Sequence, residues 1–195
     1  MFSRSRLFLA FAAAAALMAV IPATSSAAEF KWSATGSFAS KALQPQVLTL
    51  ASGPYGSVKC TSASGQGGLT STDYSQFELT VSYSGCTAFG FQGVQTTAVK
   101  YRYHADGRFD VVTPLTVSVP FAACTLTIKP QANRTAVQYA NNGGRIIFEN
   151  AVGGIAYTTE GAGVGQLCPA SGSNATLTGS NELERVGGGS VYWQP

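Results

Sequence analysis

From Glu29 to the C-terminus, almost every readable segment of this chain alternates apolar and polar residues, and none carries the 3.6-residue period of an amphipathic helix. In FELTVSY, Phe77, Leu79, Val81 and Tyr83 share one side, with Glu78, Thr80 and Ser82 on the other. LTVSV sets Leu115, Val117 and Val119 against Thr116 and Ser118, and CTLTIK sets Cys124, Leu126 and Ile128 against Thr125, Thr127 and Lys129. Val137 and Tyr139 of TAVQY read the same way. Successive strand residues point to opposite faces, so the pattern dictates strands with one face buried. Turn signals separate the runs: SGPYG at 52–56, SGQGG at 64–68, NNGG at 141–144 and ASGSN at 170–174. The expected fold is all-β, an antiparallel β-sandwich or barrel of roughly ten strands. Alternation assigns faces but does not choose between sandwich and barrel. No linker or internal repeat divides residues 29–195, which read as one domain. The stretches 63–75 and 160–174 read as long surface loops and as the place for a binding site.

Residues 1–28 have another character. Arg4 and Arg6 give a basic start, LFLAFAAAAALMAVI is an apolar run of about 15 residues, and PATSSAA ends in small side chains. A membrane-spanning helix needs roughly 20 apolar residues, so this is a secretory signal peptide, with Ala28–Glu29 as the expected cut. The GGGSVYWQP end shows neither an apolar tail nor a basic stop sequence, and the mature chain is expected to be released outside the cell, off the membrane. Without Arg4 and Arg6, ten Lys and Arg face nine Asp and Glu, and the cations are scattered. Nucleic acid binding needs concentrated positive charge and is set aside.

In an exported chain, Cys60, Cys86, Cys124 and Cys168 read as disulfides. Zinc would want a C-x-x-C pair or more than one histidine. Of the three pairings, the one without crossing or nesting is expected, Cys60–Cys86 and Cys124–Cys168. Cys86 ends the FELTVSY strand as a neighbour for Cys60, and Cys124 remains to fasten the Gly-rich segment around Cys168.

YRYHADGRFDV holds the single histidine, His104, with Asp106 and Asp110 beyond it. A two-residue Asp-Gly turn would pair Tyr103 with Asp110 and mix the two faces, which a buried sheet does not tolerate. A three-residue loop, Ala105-Asp106-Gly107, resolves this, with Gly107 in the left-handed conformation. Tyr103 then faces Phe109 and Tyr101 faces Val111 on the core side. Arg102 faces Asp110 as an ion pair, and His104 lies exposed beside Arg108. On this reading His104 is not a catalytic base, and His104→Ala is expected to change little.

Other chemistry finds little support. There is no G-x-S-x-G elbow and no calcium-type acidic string. A glycosidase needs only two carboxylates; among the acids, Glu149 within RIIFENAV is the least expected, and it reads as an exposed strand residue. The sequons at Asn133 and Asn174 bear on function only where the host glycosylates them. No cofactor or metal is expected.

The motifs YSGCTAFG (83–90), CTLTIKPQ (124–131) and GGIAYTTEG (153–161), in this order behind an Ala-rich leader, resemble a group of small uncharacterised secreted proteins common in actinobacteria. The resemblance implies location and fold rather than activity. The expected function is therefore a non-enzymatic extracellular binding or envelope-associated domain. The alternative is a carbohydrate-active or lectin-like module, with Tyr55, Tyr74, Phe89 and Phe91 stacking on a polysaccharide. An outer-membrane barrel also alternates, but the cysteines argue against it.

Overall fold

The computed structural model describes residues 27–50, 56–165 and 167–195. The expected leader lies outside them except for Ala27 and Ala28, as does most of the 52–56 turn signal. Alternation resolves into sixteen strand segments. They are β1 (Glu29–Trp32), β2 (Gly36–Ala42), β3 (Gln46–Thr49), β4 (Ser57–Leu69), β5 (Asp73–Tyr74), β6 (Gln76–Ala88), β7 (Gln95–Thr96) and β8 (Val99–His104). There follow β9 (Phe109–Val111), β10 (Leu115–Val119), β11 (Cys124–Ile128), β12 (Gln131–Arg134), β13 (Val137–Asn142), β14 (Arg145–Gly161), β15 (Gly172–Arg185) and β16 (Val191–Gln194).

Sixteen exceeds the expected ten because several long strands are interrupted. β2 and β3 lie one after the other along the same edges of β4 and β15. β9 and β10 lie likewise along β12 and β11, and β8 and β7 along β9 and β10. Three breaks coincide with Pro45, Pro114 and Pro130, which have no N–H to give a ladder. β11 and β13 both pair with β14. Between them Gln131 bridges to the same strand, its Nε2 donating to the Ala156 carbonyl and its Oε1 accepting the Ala156 N–H, both at 2.9 Å.

Counting each interrupted run once, eight antiparallel strands follow one another in chain order. β15 returns to β2 and β3, so the ring closes as a barrel and leaves few open edges. Its inner residues are the apolar set of the alternation, and its outer residues are Thr, Ser, Lys, Arg and Glu. A membrane-spanning barrel has the reverse polarity. A separate sheet of β16, β1 and β5 covers one end. It drives Phe30 and Trp32 into the barrel, where Phe30 meets Phe77 at 4.9 Å and Tyr139 at 5.1 Å between ring centroids.

The stretch 63–75 is not a long loop: β4 continues to Leu69, paired with β2 and β6. Gly65 and Gly67 make room rather than turns. A Cβ on Gly67 would collide with the Phe38 ring and the Glu78 carbonyl. The second expected loop is shorter than read, since β14 runs to Gly161 and β15 starts at Gly172. Both disulfides form as expected, Cys60–Cys86 and Cys124–Cys168. With sequence separations of 26 and 44, chain-entropy estimates give about 3.5 and 4 kcal/mol.

Candidate functional site

The hairpin around His104 has the expected register: Tyr101 pairs with Val111, Arg102 with Asp110 and Tyr103 with Phe109. Gly107 sits at φ 85° and closes the three-residue loop, its N–H donating to the His104 carbonyl at 3.0 Å. The side chains are arranged otherwise. His104 is not exposed beside Arg108; its side chain is 12% exposed and its Nε2 lies 2.9 Å from Asp110 Oδ2. Arg108 turns to Asp106 at 2.7 Å and Asn133 at 3.2 Å. Arg102 reaches Asp110 only at 3.8 Å and instead grips Glu78 at 2.6 Å. The reason is β6, which pairs on the far side of β8 and sets Glu78 directly across from Arg102.

Asp110 Oδ1 also accepts the N–H of Asn133 at 2.8 Å. Burial pushes the Asp110 carboxyl up, but the hydrogen bonds from His104 and Asn133 and the charges of His104 and Arg102 outweigh it and hold it below its ordinary value. The group therefore pins β9 to β12. Around it the hairpin carbonyls take further bonds: Tyr139 Oη donates to His104, and Trp193 Nε1 to Ala105, each at 2.9 Å. All of this lies on the outer wall and at the capped end, which makes it a structural clasp.

The interior beyond the aromatic plug differs. An apolar cavity of about 30 Å³, room for a water or two, lies within the barrel. All eight strands line it, among them Leu48, Val58, Tyr83, Tyr101, Val117, Ile128, Ile155 and Leu177. Its polar side chains are few. The hydroxyls of Tyr83 and Tyr101 hydrogen-bond at 2.9 Å, and Gln46 and Thr96 complete the set. Cys60 also lines it, so one disulfide is part of the wall. Alternation placed these residues inward, but no periodicity reveals unfilled volume. The one available hint was that aliphatic residues replace aromatic ones along this half of the strands.

The residues considered for sugar stacking are placed differently. Phe89 is buried and Phe91 half-buried against the core. The Tyr74 hydroxyl accepts the N–H groups of Thr70 and Ser71 at 2.7 and 2.6 Å. Tyr55 lies outside the described residues. Glu149, Asn133 and Asn174 are exposed. The nearest carboxylates share cations instead of a cleft: Glu29 and Asp73 hold Lys31, Glu78 and Asp110 hold Arg102, and Glu182 and Glu184 hold Arg145. Among the described residues no helix is long and apolar enough to cross a membrane. The two disulfides fit an oxidising compartment. No family model, no curated protein and no solved structure matches the chain.

Proposed function

We propose that this chain is a secreted, non-enzymatic binding protein that holds a small apolar molecule inside its barrel. One observation carries the reading: the interior cavity is lined by side chains from every strand of the ring. Barrels of eight strands have interiors either just filled by side chains or able to hold one small ligand, and this one leaves a space unfilled. Among the described residues the wall there holds no carboxylate, histidine or lysine, which supports binding over hydrolysis. Burial of Phe89 and the engagement of the Tyr74 hydroxyl favour a small ligand over a polysaccharide. The layout of the leader and the two disulfides support export.

Detergent-free purification from culture medium, followed by organic extraction and mass spectrometry, is the direct test. A stoichiometric apolar molecule is the expected outcome. An extract without one, together with no calorimetric binding of benzene by the purified chain, would falsify the reading.

A further inference from the structure

The inference concerns the chemical class of the ligand and its way in, and it rests on the cavity reading above. Two observations meet at one place on the barrel wall. The ladder between β6 and β8 ends where Val81 pairs with Val99. From there β6 continues to pair with β4, while β7 pairs only with β10. Among the described residues, the edge of β6 from Ser82 to Thr87 therefore carries no second ladder. β7 lies beside it without pairing to it, so this slot in the hydrogen bonding is the weakest seam of the wall. Tyr83 and Thr96 flank this slot, and both are half-buried and line the cavity.

Two of the polar groups of the cavity, the Tyr83 and Tyr101 hydroxyls, stand together beside this seam, and Gln46 lies across β4 from it. One proton of the Tyr83–Tyr101 pair makes their mutual bond, so the pair retains one donor and unused lone pairs. Gln46 Nε2 donates to the carbonyls of Gln44 and Ser180 at 3.1 and 3.4 Å. Among the described residues its Oε1 meets no donor. Among the described residues no Asp, Glu, Lys, Arg or His lines the cavity, and an unpaired charge buried there would cost far more than a neutral group. Burial pushes the Tyr83 hydroxyl up to about 12 and Tyr101 well above its ordinary value, so both remain neutral.

We propose that the cavity takes a small uncharged molecule, mostly hydrocarbon, whose single hydroxyl or carbonyl bonds to the Tyr83–Tyr101 pair, and that it passes through the slot between β6 and β7. A cavity of about 30 Å³ is smaller than such a molecule, so a wall residue must give way. Tyr83 is that residue, because its strand edge carries no second ladder and it is only half-buried.

Calorimetric titration of the exported chain with benzene, phenol and benzoate at neutral pH tests this. Phenol binds more tightly than benzene by roughly 3- to 10-fold, the equivalent of one net hydrogen bond, and benzoate does not bind. Tyr83→Phe and Tyr101→Phe each bring phenol affinity close to the benzene affinity measured on the same variant, with thermal melts showing that each variant folds. Thr96→Phe, which narrows the slot, slows phenol exchange several-fold by NMR. Equal affinities for phenol and benzene, or an advantage that survives both substitutions, overturn the polar recognition while the cavity reading stands. Unchanged exchange in Thr96→Phe overturns the slot. If none of the three probes binds, the cavity reading itself fails and this inference falls with it.

Discussion

Along β6, Phe77 and Tyr83 point to the same interior face, yet they stand in different halves of the barrel. Phe77 touches Phe30, Trp32, Phe38, Tyr103 and Phe148 within 6.4 Å between ring centroids. A sheet covers that end, and the hairpin at Gly107 is bonded onto it. Tyr83 has one polar partner, Tyr101, an unpaired strand edge and a cavity beside it. The alternation is the same in both halves; the difference is side-chain volume and strand pairing. Aromatic rings meet across the barrel and fill the capped half, whereas Val, Leu and Ile leave space in the other. One end of such a barrel carries the stability that the other end gives up to keep a cavity, since interiors elsewhere pack without voids.

The sharpest way to break this comparison is to empty the capped half. Phe77→Ala should lower stability by about 3–5 kcal/mol, the range for removing a buried aromatic ring. Tyr83→Ala, at a half-exposed site next to a void, should cost about half as much or less. Paired urea denaturation curves decide it. Equal losses would mean that the two halves are packed alike.

A second prediction takes the clasp at the capped end. Asp110→Asn should cost about 1–3 kcal/mol at neutral pH, because it weakens a charge-assisted bond to His104 and the one to the Asn133 N–H. The folded-state carboxyl is held below its ordinary value. Its contribution is therefore present above the unfolded value near 3.9 and is lost as pH falls through the lower folded value. The stability curves of the two proteins should converge at acid pH. A gap that stayed constant to the acid transition would mean that the carboxylate does not act through its charge. His104→Ala belongs to the same clasp, so the near-neutral effect expected from an exposed histidine is replaced by a measurable loss.

What the sequence made legible follows the range of each interaction. The hairpin register at 101–111 and the pairing of Cys60 with Cys86 depend on neighbours in the chain, and both follow from face and turn chemistry. His104 was misplaced because its surroundings are completed by Glu78 on β6 and Asn133 on β12, and alternation does not reveal which strand lies beside which. Ring closure between β15 and β2 joins opposite ends of the chain, where a periodic pattern fits several partners equally. Gly65 and Gly67 looked like turn residues because a glycine that admits the Phe38 ring and one that reverses the chain read alike. The ladder along β6 stops at Val81 and Val99, and no residue type announces it.

The smallest expected effect is also the most direct measure of the unfilled space. Val99 and Val117 are both interior and almost fully buried, at 0% and 1% exposed. Val117 lines the cavity, whereas Val99, between the cavity-lining Tyr101 and Thr96 along its own run, does not. Replacing either with Ile keeps the β-branch and its χ1 preference, so the substitution changes volume and little else. At Val117 the added methylene enters empty space and gains at most about 0.8 kcal/mol of burial. At Val99 it must displace packed neighbours, which typically costs about 1–3 kcal/mol. Urea midpoints at constant m-value would show Val117→Ile slightly above the parent and Val99→Ile clearly below it. Val117→Ile should also weaken benzene binding, because it occupies the volume the ligand needs. If Val117→Ile destabilised as much as Val99→Ile, the space beside Val117 would already be filled in solution, and the open half would hold no cavity.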